Sequence, residues 1–298
     1  MSINRPLFDS IYQECCDIIK ASSDKQIFNK RNKLDTAYEL LCKTENCELQ
    51  EFYSIVHELR TYRFLCEKGL TLSAQNDNHI GPDFLCDELG YIECVSITKG
   101  EAKTECRKYV DACLKGTINR YKSAFPRITS AIVDKKNKYE NYLSKYAINS
   151  QLPCIIAINT SIFSNEFHSD LIVDLFLKIL YGIGCQTISF GSDLTSTSVE
   201  SEIETHQFDD IGQKSFEKEL QVGYFSQDSF RDISAIIVEN NSIGEKIENK
   251  YFRVFLNPLS IVPLQTEKLK AFIYFQMEEY AKEYVQYKWY NPIDSDSK

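Results

Sequence analysis

The stretch GPDFLCDELGYIECVSIT, residues 81–98, carries the pattern that decides the fold. Residues 82–86 and 91–98 are rich in apolar side chains, and the turn sequence Glu88-Leu89-Gly90 separates them. Residues 70–75 form a similar short run that ends at a polar turn. Three short strands joined by tight turns predict an antiparallel meander.

Helical patterns flank this meander on both sides. Residues 48–68 place apolar side chains at helical spacing, and Gly69 supplies a C-terminal stop. Residues 128–146 form a second amphipathic pattern, and the continuous apolar run at 154–159 is typical of a strand buried on both faces. The predicted order is helix, three-stranded meander, helix, strand, in an α/β fold with a mixed central sheet.

The rest of the chain extends this core. We divide it into a helical extension at residues 1–47 and one α/β domain at residues 48–298. The spacing of apolar residues at 272–287 predicts a last helix, so extra helices are expected at both ends. Residues 191–230 are rich in Ser, Thr, Asp and Glu with weak periodicity, and we expect a mobile polar insertion there.

The composition is that of an ordinary globular chain. Of its 298 residues, 43% are hydrophobic and 26% are charged, and the formal net charge is −9. No apolar run reaches the roughly 18–20 residues of a membrane span, and the first residues lack the apolar core of a signal peptide. The 11 cysteines include no C-x-x-C pair, and the four histidines form no zinc or triad motif. We therefore expect a cytoplasmic protein with reduced thiols and no membrane partner.

A basic segment interrupts this acidic chain. Residues 99–145 contain 12 Lys and Arg against 5 Asp and Glu, a local net charge of +7. Such a block is typical either of a surface that binds a polyanion or of a solvated helical face. The residues that we expect to contact nucleic-acid phosphates are Lys99, Lys103, Arg107, Lys108, Arg120, Arg127 and Lys138.

Two carboxylates lie in the strands of the predicted hairpin. Asp83 and Glu93 can be cross-strand neighbours, and Glu93 shares a strand face with apolar side chains. Like charges opposed across a sheet are destabilising, unless a divalent cation between them turns the repulsion into a binding site. Oxygen ligands of this kind favour Mg²⁺ or Mn²⁺. The alternative is two edge carboxylates that point to water.

Two more ionisable residues fall on apolar helical stripes. Glu58 follows Ile55 by three residues and precedes Tyr62 by four, so it faces the side that should pack on the sheet. It either binds a metal ion, or lies at the edge of the stripe, where it reaches solvent or pairs with an arginine. Lys135 lies at the centre of the stripe in residues 128–146, where it either extends its amine to the edge or pairs with a carboxylate.

Together, these residues resemble a known family. Glu58 on a helix, then G-P-D-F, a short turn and I-E-C-V is similar to the core of the PD-(D/E)XK nuclease superfamily, which has the restriction-endonuclease-like fold. The resemblance covers residues 48–159. It implies a metal-dependent phosphodiesterase in which Asp83, Glu93 and the backbone carbonyl of Cys94 hold the cation, while Glu58 helps to hold the metal or its water.

One position departs from the family pattern. The motif has a lysine two residues after the Glu, and this chain has Val95. Some members carry the lysine on the following helix, which implies Lys135 as the catalytic amine, with Lys99 and Lys138 as weaker alternatives.

The resulting expectation is a Mg²⁺-dependent endonuclease, with Mn²⁺ as a substitute, DNA favoured over RNA and a homodimer left open. The first alternative is a catalytically degenerate module of the same fold that binds nucleic acid or protein. The second is an interaction protein without a nucleic-acid role, which uses the acidic segment 191–230 or the last helix.

Overall fold

The computed structural model describes residues 5–43, 49–74, 81–97, 120–145, 148–161, 169–190, 197–203, 223–240, 252–280 and 285–291. These residues form an α/β fold with a mixed eight-stranded sheet, a separate two-stranded sheet and five α-helices. Within these ranges, no helix has both the length and the apolar character that crossing a membrane requires.

The helices of the described ranges are α1 (Arg5–Ala21), α2 (Lys25–Lys43), α3 (Leu49–Glu67), α4 (Arg120–Lys145) and α5 (Ser169–Tyr181). The strands are β1 (Leu72–Ala74), β2 (Phe84–Cys86), β3 (Gly90–Ser96), β4 (Cys154–Asn159), β5 (Ile183–Phe190), β6 (Thr197–Ile203), β7 (Ala235–Glu239), β8 (Phe252–Leu256), β9 (Tyr274–Tyr280) and β10 (Val285–Tyr290).

The large sheet has the order β1-β2-β3-β4-β7-β8-β9-β10. Strands β1, β2 and β3 form an antiparallel meander, and β4 lies parallel to β3 on its other side. Strand β7 continues the parallel section, β8 is antiparallel to β7, and β9 is parallel to β8. The sequence therefore predicted the α/β class and the mixed sheet correctly. The β5–β6 hairpin forms the second, smaller sheet.

Helices cover both faces of the large sheet. On one face, α1, α2 and α3 share a buried apolar cluster with alternate residues of the strands, such as Ile92 and Cys94 in β3. On the other face, α4 and α5 pack on the intervening residues, such as Tyr91 in β3 and Ile156 in β4. Both faces are apolar because the central strands are parallel and buried, which explains the continuous apolar run in β4.

The predicted C-terminal helix at residues 272–287 is wrong. The chain there forms β9 and β10, an antiparallel pair, so the extra helices lie at the N-terminal end only within the described ranges. Aromatic side chains explain the strand: Phe275 is buried on the α4–α5 face and contacts the ring of Trp289 across the pair, with 5.1 Å between ring centroids. Strand β8 provides the neighbour that such a segment needs.

The segment 191–230, predicted as a mobile polar insertion, contains regular elements in both parts that the structure describes. Residues 197–203 form β6, and residues 224–226 and 228–230 form two 3-10 turns. Tyr224, Phe225 and Phe230 in these turns are buried in the core with α5. Residues 191–196 and 204–222 lie outside the described residues, and so does the prediction of mobility that covers them.

Gly90, the first residue of β3, lies very close to Pro153, which precedes β4. Gly90 has a φ of 86°, and a Cβ there would meet the backbone oxygen of Pro153. We expect Gly90→Ala to lower the free energy of unfolding by about 3 kcal/mol, from backbone strain plus overpacking. Chemical denaturation measures the change.

Gly69 is the matched control, because its φ is 78° and a Cβ added there would have nothing within 4 Å. Gly69→Ala should cost only about 1 kcal/mol, the strain of a left-handed backbone. Equal losses in the two variants would contradict the close approach at Pro153.

Candidate functional site

The hairpin β2–β3 places Asp83 opposite Glu93. Phe84 pairs with Ile92 in the antiparallel ladder, so the preceding residue of one strand faces the following residue of the other. Asp83 Oδ2 accepts a hydrogen bond from the backbone N–H of Cys94 at 2.7 Å. Strand β2 begins at Phe84, which pairs with Ile92, so the ladder between the two strands does not continue to the residues of β3 after Ile92. We call this side of residues 93–96 the open edge of β3. The hydrogen bond from Cys94 takes the place of a ladder bond there and holds the Asp83 carboxylate at this edge.

Glu93 is a buried carboxylate on the α4 face of the sheet, with 1% of its surface exposed. Lys135 donates to Glu93 Oε1 at 2.6 Å, and Lys138, one helical turn later on α4, donates to the same oxygen. The other oxygen, Oε2, has no hydrogen-bond partner among the described residues. Burial, followed by the negative charge of Asp83, raises the pKa of Glu93 above its ordinary value.

Glu58 on α3 pairs with Lys30 on α2. Lys30 Nζ lies 2.5 Å from Glu58 Oε2, and the two side chains are 11% and 17% exposed. Burial and then the charge of Asp83 raise the pKa of Glu58. Although burial lowers the pKa of Lys30, the carboxylate of Glu58 outweighs it and the net direction is upward.

Sequence reasoning missed Lys30, although a signal for it exists. Lys30 lies three residues after Ile27 and four before Leu34, both of which are fully buried. It thus interrupts an apolar helical stripe in the same way as Lys135. The sequence assigns residues 1–47 to a helical extension and the acidic residues to the α/β domain. That division gave no reason to expect Lys30 beside Glu58.

These side chains form one electrostatic group at the open edge of β3. Asp83 contributes to the raised pKa of both glutamates and also acts on Lys30 and Lys138. We call the group the carboxylate–lysine cluster, and its members are Lys30, Glu58, Asp83, Glu93, Lys135 and Lys138. The formal charges of its three acids and three lysines cancel.

The cluster has features that fit a divalent cation, although it is no preformed cage. Among the described residues, no three His, Cys, Asp or Glu side chains are grouped closely enough to hold a metal ion. However, the buried Oε2 of Glu93 lacks a partner within those residues, and a cation beside Asp83 would supply one.

The backbone of Cys94 offers a further oxygen. Tyr91 and Ile97 donate their N–H groups towards the β4 side, to Pro153 and Asn159 at 2.8 and 3.0 Å. Cys94 has the opposite parity in the strand, so its N–H and C=O point to the open edge beside Asp83. Its carbonyl therefore faces the same edge as the two carboxylates.

The predicted nucleic-acid contacts fall into three groups. Lys99, Lys103, Arg107 and Lys108 lie outside the described residues. Arg120 is the first residue of α4, and Arg127 is half-buried on the same helix. Lys138 is 44% exposed and binds Glu93, so it lies at the carboxylates rather than on a separate basic face.

A second buried polar group holds α3 against the sheet. His57, next to Glu58, contacts Glu239 Oε2 through Nδ1 at 2.7 Å and the backbone oxygen of Ala157 through Nε2 at 3.0 Å. Asn159 donates to the same Glu239 oxygen at 2.9 Å. Because the Ala157 oxygen only accepts, Nε2 of His57 is the donor in that bond. No sequence motif assigns a role to His57 or Glu239, and in the structure they fix the helix that presents Glu58.

No protein-family model, curated protein or solved structure matches the chain. The function is therefore inferred from the geometry of the carboxylate–lysine cluster.

The Lys30–Glu58 pair should be energetically coupled because both side chains are largely removed from water. In a double-mutant cycle with Lys30→Met and Glu58→Gln, we expect a coupling energy of about 2 kcal/mol in urea denaturation. The exposed pair Lys43–Glu39, with 71% and 66% exposure, is the matched control and should give about 0.5 kcal/mol or less. Similar coupling energies in the two cycles would show that Lys30 does not stabilise the Glu58 carboxylate.

Proposed function

We propose that the protein is a Mg²⁺-dependent nuclease that hydrolyses phosphodiester bonds in nucleic acid, with DNA as the favoured substrate. The observation that carries this proposal is the pair Asp83 and Glu93 at the open edge of β3, where one buried oxygen of Glu93 has no partner among the described residues. A buried carboxylate beside a second carboxylate is costly and is typical of functional sites.

The arrangement of elements supports the same proposal. Helix α3, the meander β1–β3, helix α4 and strand β4 follow one another in the chain, and β4 lies parallel to β3. This order is similar to the core that the PD-(D/E)XK resemblance implies. We therefore propose a restriction-endonuclease-like core within residues 49–159, in which Glu58 belongs to the helix before the meander.

The ligands proposed for Mg²⁺, or for Mn²⁺ in its place, are Asp83, Glu93 and the carbonyl of Cys94. When bound, the cation would polarise the scissile phosphate and lower the pKa of a bound water. Glu58 would accept a hydrogen bond from that water, and Lys30 would hold the Glu58 carboxylate in place.

Lys135 can take the place of the lysine that the motif lacks. Val95 lies on the same strand face as Glu93 and packs with the α4 side of the core. A lysine at position 95 would extend towards α4, and Lys135 reaches Glu93 from α4 instead. From there its ammonium group would orient the attacking water or stabilise the charge that develops on the phosphate.

The second candidate function is a degenerate module that binds nucleic acid or a protein without cleavage. Two lysines already neutralise Glu93, and the described part of the chain contains no group of three metal-ligating side chains. Permanent ion pairs of this kind would stabilise the fold and would keep a cation from binding Glu93.

A cleavage assay separates these functions. We expect the purified chain to nick supercoiled plasmid in Mg²⁺ or Mn²⁺ and to stop in EDTA. Asp83→Asn keeps an oxygen for the Cys94 N–H and removes the charge, so cleavage should fall by about 100-fold or more. Glu140→Gln on α4 is the control, because Glu140 pairs with Lys136 away from the site and should leave the rate unchanged.

Two results would count against the enzyme. Undiminished cleavage by Asp83→Asn would exclude this site, since that carboxylate is a proposed ligand of the cation. Retained DNA binding without cleavage in any divalent cation would favour the degenerate module.

A further inference from the structure

The carboxylate–lysine cluster is balanced in charge without a metal ion. Lys30 neutralises Glu58, and Lys135 and Lys138 both bind Glu93. A group of carboxylates alone would attract a free dication through its excess negative charge. Here that attraction is largely cancelled, so a cation has to compete with ammonium groups for Glu93.

The two ammonium groups on Glu93 are unevenly placed. Both contact Oε1, whereas Oε2 has no partner among the described residues. Two positive charges on one oxygen repel each other, which weakens the contact of Glu93 with both. Lys135 is 18% exposed and Lys138 is 44% exposed, so Lys138 returns to water at the lower desolvation cost, although its ammonium group also gives up its contact with the Tyr142 ring.

We propose that Lys138 is an exchangeable counter-ion that couples cation binding to phosphate binding. Without substrate, its ammonium group occupies Glu93. A nucleic-acid phosphate draws the ammonium group away, and the charge of Glu93 then becomes available to the cation. This inference rests on the proposed nuclease function and adds an order to it: the cation binds tightly only when a phosphate is present.

Coupling between two ligands is reciprocal and has a measurable size. If a phosphate strengthens cation binding by a given factor, the cation strengthens phosphate binding by the same factor. Couplings between sites are typically about 5–150-fold. Because Lys138 and the cation share one carboxylate, we expect about 10-fold or more.

The experiment is a titration with Mn²⁺, followed by electron paramagnetic resonance, with and without a phosphorothioate-linked DNA duplex that resists hydrolysis. The wild-type chain should bind Mn²⁺ about 10-fold more tightly when the duplex is present. Lys138→Met should bind Mn²⁺ more tightly than the wild type in the absence of duplex, and the duplex should then strengthen binding by less than about threefold.

Lys145→Met is the matched control. Lys145 is exposed at the end of the same helix, so the variant loses the same charge two turns beyond Lys138. It should keep both the wild-type affinity and the wild-type coupling. Lys138→Arg retains a cation beside Glu93 and should restore most of the coupling.

Each result bears on a different claim. Equal Mn²⁺ affinity of the wild type with and without duplex overturns the coupling, and a positive plasmid assay would leave the nuclease function standing. Unchanged free-state affinity in Lys138→Met overturns the role of that lysine. Absence of Mn²⁺ binding in both states, together with absence of cleavage, overturns both proposals. Lys138→Gln removes the same charge with a polar side chain and should give the same result as Lys138→Met, so the role of Lys138 can be tested even if Lys138→Met does not fold.

Discussion

The neutralisation of buried carboxylates by lysines from two different helices is the constraint on which the arrangement of this molecule depends. Three acidic side chains interact electrostatically around the open edge of β3, and burial together with the charge of Asp83 raises the pKa of both Glu58 and Glu93. Unpaired, such charges would be expelled to water. Lys30 arrives from α2 on one face of the sheet, and Lys135 arrives from α4 on the other. The cluster therefore ties both helical layers to the same edge.

Much of this could be predicted from the sequence, where local pattern and tertiary structure agree. The alternation in residues 81–98 located the hairpin, and the short turn between its strands brought Asp83 opposite Glu93. The position of Lys135 on an apolar stripe predicted either an amine extended to the edge or a carboxylate partner, and the structure shows that it pairs with Glu93. These features depend on periods of two and 3.6 residues, which a single sequence displays directly.

Other features depend on contacts between distant segments. Residues 272–287 have apolar spacing that fits a helix, and only the pairing of β9 with β8 and β10 selects the strand. The pairs Lys30–Glu58 and His57–Glu239 join residues 28 and 182 positions apart, so their existence follows from packing rather than from local pattern. The three buried aromatic residues at 224–230 were missed for the same reason. The sequence around them is polar, and only their packing in the core shows that they are buried.

The two lysines that contact Glu93 are positioned by helix α4 and not by strand β3. A lysine on β3 itself would be fixed to the strand that carries Glu93, whereas Lys135 and Lys138 depend on the packing of α4 through Ile128, Ile132 and Tyr139. One helical turn separates the two lysines, so both reach the same oxygen and crowd it. An unsatisfied buried carboxylate oxygen costs about 1–3 kcal/mol. Here one oxygen of Glu93 is doubly bound, and the other has no partner in the part of the chain that the structure describes. The same asymmetry occurs at Glu239, where His57 and Asn159 both contact Oε2 and Oε1 has no partner among the described residues. What distinguishes Glu93 is its position beside Asp83, a second carboxylate whose charge contributes to its raised pKa, and the proposed cation site rests on that position.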